Sequence, residues 1–323
     1  SRYEGEIKDG KMHGKGVCYM TAGNFAGDRY EGEFRENLMD GSGKYFHANG
    51  NRFEGEFKQN QRTGQGCVIN ADGSRFEGEF KNGTMDGKGS FTQPDGGHFE
   101  GTFKAGKQDG PGVHRFANGN RYEGEFRDGS SNGTGKFFMA NGGRYEGGFK
   151  NGAQDGAGTF FFPDGGRIEG QFRNGQAVGV GKLFQANGNR YEGEVNNGTP
   201  HGQGTFFFAN NGRYEGQFNQ GSQEGAGKFF YPDGNRYEGS FQKNVPHGRG
   251  VMHYAKVGGR YEGEFAGGMP QGQGVYITAD NRRFQGAWDH MAIHACEYTD
   301  QAGARFRVEF GGPAGPGFLD TLA

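Results

Sequence analysis

The chain has 323 residues, with 69 Gly, 32 Phe and 14 Tyr, but hydrophobic residues make up only 31% of it. So few aliphatic side chains exclude a thick hydrophobic core of the usual globular kind, and the regularly placed aromatic residues argue against a disordered chain. The formal net charge is −2, with both signs spread evenly along the chain, which gives no electrostatic case for nucleic-acid binding. The composition therefore favours a thin, repetitive fold of glycine and aromatic residues.

The cysteines and the hydropathy bear on the compartment of the protein. Cys18, Cys67 and Cys296 are odd in number and far apart, which favours a reducing compartment over a disulfide framework. No apolar run approaches the roughly 20 residues that a bilayer-spanning helix needs. No signal peptide is recognisable, but Ser1 falls within a repeat, so an upstream segment stays open. We expect a cytoplasmic protein.

A short motif, in most copies an aromatic residue followed by Glu-Gly, recurs through the sequence. Its first residue is found at Tyr3, Tyr30, Phe53, Phe76, Phe99, Tyr122, Tyr145, Ile168, Tyr191, Tyr214, Tyr237, Tyr261 and Phe284. Successive copies are 23 residues apart, except for a first step of 27 residues and a late step of 24. The extra residues fall in loops, at Met20–Asp28 and around Lys256–Gly258. A fixed period of this length indicates an array of similar structural units, which we number from this first residue.

The repeat that starts at Tyr122 is representative, and its first half predicts a β-strand. Tyr122, Gly124 and Phe126 fall on one face of an alternating pattern, whereas charged residues fall on the other. Rings on the first face can cover the bare backbone of glycines at the third, twelfth and fourteenth positions. On the opposite face, Arg and Glu of adjacent strands are expected to form exposed ion pairs, each worth about 0.2–1 kcal/mol.

The second half of this repeat predicts a turn and a returning strand. Asp128-Gly129 is a turn sequence, residues 130–132 extend it into a loop, and residues 133–139 form the returning strand. Residues 140–143 make the next tight turn. Repetition of the hairpin predicts an all-β fold, an elongated, single-layer, twisted antiparallel sheet of about 13–14 stacked β-hairpins.

Two domains are predicted. Residues 1–305 form an array of thirteen repeats, and residues 306–323 form a degenerate last strand and a C-terminal cap or tail. The last full repeat departs most from the pattern, because it loses its glutamates and contains the only Trp. Trp288, Phe306 and Phe310 allow two interpretations: a cap that protects the sheet edge, or a self-association site that gives a homodimer through the C-terminal end.

Few side chains suggest chemistry. Three repeats have histidine at a loop position that Asp or Asn fills elsewhere, so we interpret as turn residues His13, His201 and His247. His290, His294 and Cys296 have the same strand parity and are a weak candidate for a zinc site, although their spacing matches no known finger. The sequence predicts no catalytic residue, no cofactor and no enzyme activity.

The pattern Tyr-Glu-Gly-Glu-Phe-Lys-Asn-Gly, followed by Asp/His-Gly-x-Gly, an aromatic residue and Asn/Asp-Gly, closely resembles the MORN repeat (membrane occupation and recognition nexus). The resemblance covers about residues 2–305. It implies an elongated, twisted sheet of hairpins with a groove lined by aromatic residues and glycines. A sequence of almost only repeats is most similar to the cytoskeletal and axonemal scaffolds of this family.

The resemblance implies a non-enzymatic scaffold that presents this groove to helical or extended segments of partner proteins. The aromatic column of the first strands supplies the candidate groove residues, which are Tyr122, Phe126, Tyr145, Phe149, Phe172 and Phe218. The expected location is the cytoplasm, at the cytoskeleton or in a cilium or flagellum. Two alternatives stay open. One is a module that binds phospholipid or tethers a membrane, and the other is the targeting arm of a larger enzyme.

Overall fold

The computed structural model describes residues 1–319, and nearly all of them lie in β-strands or tight turns. The chain divides into two compact units, residues 1–163 and residues 164–323. Within each unit, every strand pairs antiparallel with the next strand in the sequence, so each unit is an open meander. The all-β, single-layer antiparallel prediction is therefore confirmed in both units. The predicted domain boundary at residue 305 stays a prediction.

The strands follow the repeat closely. The first unit contains a 3₁₀ helix (Gly23–Phe25) and the strands β1 (Arg2–Lys8), β2 (Lys11–Tyr19), β3 (Arg29–Arg35), β4 (Leu38–Phe46), β5 (Arg52–Lys58), β6 (Gln61–Ile69), β7 (Arg75–Lys81), β8 (Thr84–Thr92), β9 (His98–Lys104), β10 (Lys107–Arg115), β11 (Arg121–Arg127), β12 (Ser130–Phe138), β13 (Arg144–Lys150) and β14 (Ala153–Phe161). The second unit contains β15 (Arg167–Arg173), β16 (Gln176–Phe184), β17 (Arg190–Asn196), β18 (Thr199–Phe207), β19 (Arg213–Asn219), β20 (Ser222–Phe230), β21 (Arg236–Gln242), β22 (Val245–His253), β23 (Arg260–Ala266), β24 (Met269–Ile277), β25 (Arg283–Asp289), β26 (Ala292–Thr299), β27 (Arg305–Ala314) and the short helix α1 (Pro316–Leu319). Within the described part of the protein, no helix is long and apolar enough to cross a membrane.

The hairpin turn is shorter than the sequence predicts. Asp128 and Gly129 have φ angles of 49° and 86°, as in the two-residue type I′ turn that suits a β-hairpin. Residues 130–132 already belong to β12, so their prediction as a loop is wrong. The polar side chains of these residues do not indicate a strand, but a strand can form without apolar residues because its pairing uses the main chain. A register shift between Gly124 and Phe126 accommodates the irregularity in the pairing. For the same reason, strands rather than turns contain the three histidines His13, His201 and His247.

The core of each unit is a ladder of aromatic rings on one face of the sheet, which we call the inner face. The ring of Tyr30 lies edge-to-face with Phe34 of its own strand and with Phe57 of the next repeat, each at a centroid distance of 5.0 Å. In the second unit, Tyr214 does the same with Phe218 at 5.1 Å and Phe241 at 4.8 Å. Edge-to-face pairs add about 0.5–1.5 kcal/mol each to the gain from burial. Where both rings are present, the ladder therefore couples one repeat to the next; Ile168 and Val195 interrupt it in the second unit.

Glycine allows each first-position ring to lie directly on the backbone. A Cβ atom added at Gly124 or at Gly135 would lie 2.5 Å from Tyr122 Oη, which leaves no room for a side chain. The buried hydroxyl of Tyr122 donates a hydrogen bond to the carbonyl oxygen of Glu125 at 3.0 Å. Rings thus cover the glycines at the third and fourteenth positions of the repeat, as the sequence predicts. The twelfth glycine differs, because Gly133 has φ 71° and faces the Glu125 carboxylate instead of a ring.

The opposite, outer face holds its charges differently from the prediction. The guanidinium of Arg121 lies 4.5 Å from the Phe138 ring centroid on the paired strand and 3.0 Å from Glu123 of its own strand. The ion pair between strands is instead formed by Lys136 and Glu146 at 3.2 Å. Arginine pairs along its own strand because the neighbouring strand presents a phenyl ring to it.

We expect alanine to be destabilising wherever a ring covers the glycine. At Gly193 a Cβ atom would lie 2.5 Å from both Gly204 Cα and Tyr191 Oη. One repeat earlier, Ile168 replaces the ring, and a Cβ atom at Gly170 would have its nearest neighbour at 3.3 Å. Gly193→Ala should therefore lower the free energy of unfolding by about 1–3 kcal/mol, and Gly170→Ala by clearly less. Urea unfolding followed by circular dichroism measures both, and equal losses would contradict the ring-on-glycine packing.

Candidate functional site

The candidate groove residues predicted from the sequence lie in the interior of the sheet. Exposure of their side chains ranges only from 0% to 6% for Tyr122, Phe126, Tyr145, Phe149, Phe172 and Phe218. These rings rest on glycine and pack against other rings of the ladder, so they form the buried layer of the inner face. Direct contact between these residues and a partner stays a prediction, and the exposed aromatic surface is formed by other residues.

A row of partly exposed rings in the second unit lies at the sixteenth position of the repeat, within the returning strands, and at the eighteenth position, just after them. Phe206 lies 4.6 Å from Phe208, which lies 5.4 Å from Phe229, which in turn lies 4.5 Å from Tyr231, all between ring centroids. Each of the four side chains is half-buried. We call these four residues the aromatic stripe. Because each ring contacts the next, packing holds the stripe in one shape before any partner binds.

The first unit has smaller counterparts of the aromatic stripe. His114 stacks on Phe116 at 4.1 Å, and Phe116 contacts Phe137 at 6.0 Å. Phe116 is 37% exposed and Phe162 is 40% exposed. The sequence contained a signal for these residues, because the sixteenth and eighteenth positions alternate in the same sense as the first and fifth. The sequence did not show which of these four positions would be buried and which would stay partly exposed.

The long first step of the repeat opens a separate pocket in the first unit. The inserted loop Met20–Asp28 contains the 3₁₀ helix, whose Phe25 is 60% exposed. Phe25, Met12, Met20 and Met39 line a cavity of about 410 Å³, and Arg62 adds a guanidinium to its wall. We call this cavity the Met pocket. It lies beside the longest interruption of the regular 23-residue period.

A polar network borders the Met pocket. The Asp28 carboxylate, only 7% exposed, accepts hydrogen bonds from Tyr45 Oη at 2.7 Å and from the Ala48 N–H at 2.8 Å. His47 Nδ1 lies 3.3 Å from Asp28 Oδ2, and His47 Nε2 lies 2.9 Å from Arg62 Nη2. Burial by itself would raise the pKa of Asp28, but the bonds from Tyr45 and Ala48 and the nearby His47 outweigh burial and lower this pKa.

The weak zinc candidate does not form one ligand set. His290 lies in the turn after β25 with φ 48° and pairs with Asp289. Cys296 is buried, whereas His294 is exposed, because a register shift between β25 and β26 breaks the predicted parity. Burial also raises the pKa of the Cys296 thiol to about 11. Among residues 1–319, no three His, Cys, Asp or Glu side chains are grouped to hold a metal ion.

The three residues of the predicted C-terminal cap or self-association site lie in different surroundings. Trp288 is 3% exposed, donates its Nε1–H to the Gly274 carbonyl oxygen at 3.1 Å, and continues the aromatic ladder. Phe306 is 52% exposed on β27, and Phe310 is half-buried beside Phe318. Trp288 is thus buried within its own unit, and the cap or self-association role of the three residues stays a prediction. Residues 320–323 of the predicted tail lie outside the described residues.

We expect Asp28→Asn to show how much the negative charge of Asp28 contributes to the stability of the protein. The same turn position holds Asn in other repeats. There the Asn Oδ1 accepts a hydrogen bond from the main-chain N–H of the corresponding alanine, as at Asn51, Asn120, Asn189 and Asn235. The substitution should keep the Ala48 bond, weaken the contacts with Tyr45 and His47, and lower the free energy of unfolding at pH 7 by about 1 kcal/mol.

The pH dependence checks the sign of this effect. A carboxyl whose pKa is lowered by folding stabilises the protein above its ordinary pKa of about 4, and this contribution disappears as the pH falls through the lowered value. Urea titrations of wild type and Asp28→Asn should therefore converge in acid. Glu54→Gln, which alters an exposed ion pair on the outer face, is the control and should change stability little. A difference that persists unchanged at pH 3 would contradict the assignment.

Comparison with known protein families gives a match over most of the sequence. A model of the MORN repeat matches twelve stretches, residues 3–25, 30–52, 53–75, 76–98, 99–121, 122–144, 145–167, 169–190, 191–213, 214–236, 237–256 and 261–281. The predicted thirteenth repeat, which begins at Phe284, is not among the matches. A comparison with curated proteins found no match.

Several solved structures show a distant likeness. The TCP10c domain of Drosophila melanogaster Sas-4 is 14% identical, with coverage of 55% of this chain and 99% of that chain and a TM-score of 0.30. A Drosophila SAS-4 (dCPAP) TCP domain in complex with a proline-rich motif of Ana2 is 15% identical, with coverage of 46% and 81% and a TM-score of 0.30. The wild-type TCP10 domain of Danio rerio CPAP is 10% identical, with coverage of 76% and 99% and a TM-score of 0.22. Scores this low support no argument about the function or partners of this protein.

Proposed function

The chain belongs to the MORN-repeat family, and we propose that it is a non-enzymatic structural scaffold that binds protein partners through its aromatic stripe. The observation that supports this function is the continuous row of ring contacts from Phe206 to Tyr231 on the inner face of the second unit. Its setting, by the same proposal, is a cytoskeletal or ciliary assembly, in keeping with a sequence made almost entirely of repeats.

Preorganised aromatic rings suit protein recognition. Phe and Tyr supply large contact areas and lose little side-chain entropy on binding, and rings already fixed by their neighbours lose still less. The aromatic stripe offers such rings, two of them on β-strands and two directly after the strand ends, and the contacts between the rings fix their spacing. A helix with apolar residues on one face, or an extended segment with alternating apolar residues, fits a row of this kind.

The surroundings of the aromatic stripe favour a protein over an anionic lipid surface. On the inner face of the same returning strands and of the next one, the tenth-position residues are uncharged, namely Pro200, Gln223 and Pro246. Binding to an anionic membrane depends on clustered Lys and Arg, each contributing about 1 kcal/mol near the surface. An uncharged apolar row instead matches an apolar face of another protein.

Loss of two rings of the aromatic stripe tests the proposal. We expect the double variant Phe208→Ala and Phe229→Ala to lose partners that wild type captures from its native cells, because truncating one central aromatic anchor costs about 2 kcal/mol of binding. Quantitative mass spectrometry of the captured proteins is the measurement. Val180→Asp is the matched control, since Val180 is 73% exposed and pairs with Glu194 on the outer face.

The control should keep the partner set, and thermal unfolding should show both proteins folded. A double variant that captures the same proteins as wild type would overturn the stripe as binding surface. Co-sedimentation of wild type with anionic liposomes at low salt, lost at high salt, would instead support the lipid-binding alternative.

We also propose a homodimer through the C-terminal edge. Within the described residues β27 pairs only with β26, which leaves its other edge free, and the exposed Phe306 lies on that strand. Phe306→Lys should therefore raise the dimer dissociation constant at least tenfold in analytical ultracentrifugation, whereas Val180→Lys should leave it unchanged. Wild type that stays monomeric at about 100 μM would contradict this part of the proposal.

A further inference from the structure

Arg62 breaks a rule that the other repeats follow. It occupies the tenth position, where the other copies have the uncharged residues Met12, Met39, Met85, Gln108, Ser131, Gln154, Ala177, Pro200, Gln223, Pro246, Pro270 and Ile293. In the sheet, Arg62 pairs with Phe57 and so belongs to the inner face. Its guanidinium therefore places a positive charge among the inner-face rings of the first unit, whereas the other arginines that stack on rings there, such as Arg121, lie on the outer face.

The guanidinium of Arg62 is partly desolvated and has no carboxylate partner. It lies 4.8 Å from the Phe53 ring centroid, and Nη2 bonds to His47 Nε2 at 2.9 Å. No ion pair joins it to an acidic side chain within residues 1–319, because the buried Asp28 is already held by Tyr45 and Ala48. A charge removed from water without a counter-charge is costly, and an incoming anion would remove that cost.

His47 fixes the direction of this donor. Arginine can only donate, so His47 Nε2 must accept, and the imidazole proton lies on Nδ1, which faces Asp28 at 3.3 Å. The neutral ring thus connects the buried carboxylate to Arg62 without cancelling the charge of the guanidinium. Four of the five N–H donors of Arg62 are not used by His47 and are available to a ligand.

The rest of the Met pocket offers apolar walls and further donors. Met12, Met20 and Met39 are flexible and polarizable, so they adapt to ligand side chains of different shapes. Asn37 and Asn60 also line the pocket, and their Oδ1 atoms already accept main-chain N–H bonds at 2.8 Å each. Each of these two amides also carries an NH2 group with two donors, and no hydrogen bond to another side chain or backbone atom is recorded for these groups within residues 1–319. The pocket therefore suits a hydrogen-bond acceptor attached to a bulky apolar group.

We propose that the Met pocket binds an acidic, apolar segment of a partner protein, with one carboxylate on Arg62 and a neighbouring apolar side chain among the three methionines. This inference rests on the protein-binding function proposed above and places a second, charge-selective contact in the first unit. A single arginine suits one carboxylate, whereas a nucleic acid or an anionic membrane would require a row of cations. The carboxylate belongs either to an Asp or Glu side chain or to the free carboxyl terminus of the partner.

Defined peptides test the charge selectivity. Three fluorescein-labelled pools of eight-residue peptides would be titrated into the full-length protein by fluorescence polarisation. The first has a Phe-Glu-Leu core and an amidated end, the second replaces Glu by Gln, and the third has the Gln core and a free carboxyl end. Wild type should bind the first or the third pool about tenfold more tightly than the second, since charge-assisted hydrogen bonds exceed neutral ones. The tighter of the two identifies the source of the carboxylate.

The decisive variant is Arg62→Met, which installs the residue that this position has in three other repeats, so folding should be retained. It should abolish the discrimination between the pools, whereas Arg75→Met, on the exposed outer-face arginine paired with Glu77, should not. In ¹³C-methyl NMR, the Met12, Met20 and Met39 signals should shift on binding, and that of Met252 should not.

Equal binding of the three pools by wild type, or selectivity retained in Arg62→Met, would overturn the inference. Partner capture through the aromatic stripe is measured separately, and it can persist when peptide selectivity fails. In that case the scaffold proposal stands and only the Met pocket assignment falls. If partner capture through the aromatic stripe fails while wild type still discriminates between the peptide pools, the Met pocket assignment stands and the aromatic stripe proposal falls.

Discussion

The packing of a Tyr or Phe ring on two glycines of paired strands is the contact on which the rest of the structure depends. A single sheet has no second layer to cover its apolar face, so it must build a core within its own thickness. The absence of Cβ atoms at Gly124 and Gly135 lets the ring of Tyr122 lie against the backbone. Edge-to-face contacts with Phe126 and with Phe149 of the next repeat then extend this buried row of rings along the sheet. The fixed period follows, because each ring must meet its glycines and its neighbour at once.

This packing also divides the inner face into two levels. Rings that rest on glycine are almost completely buried, as Tyr122 and Tyr214 are. Rings at the sixteenth and eighteenth positions, such as Phe229 and Phe208, stay half-exposed. The buried rings therefore stabilise the sheet, whereas the half-exposed rings are the ones proposed above to contact a partner.

The features that are specific to this protein lie where its sequence departs from the repeat. The insertion Met20–Asp28 creates a cavity that a regular repeat would fill, and Arg62 places a charge beside it. Asp28 and His47 hold that charge in position without neutralising it. A repeat array can offer many equivalent surfaces, but a selective site requires a place where the repeats differ. By the inference above, that place is the Met pocket of the first unit.

The sequence by itself determined the repeat, the family and the all-β antiparallel fold, because the period and the alternation of side chains are local properties of the polypeptide. It also placed Tyr122 and Phe126 on one face. Only the tertiary structure decided that these rings are buried while Phe208 is exposed, since burial depends on which glycines a neighbouring strand places beneath each ring. The same holds for the link from Asp28 through His47 to Arg62. Their contact arises from register shifts and an inserted loop, which bring together residues that no local pattern connects.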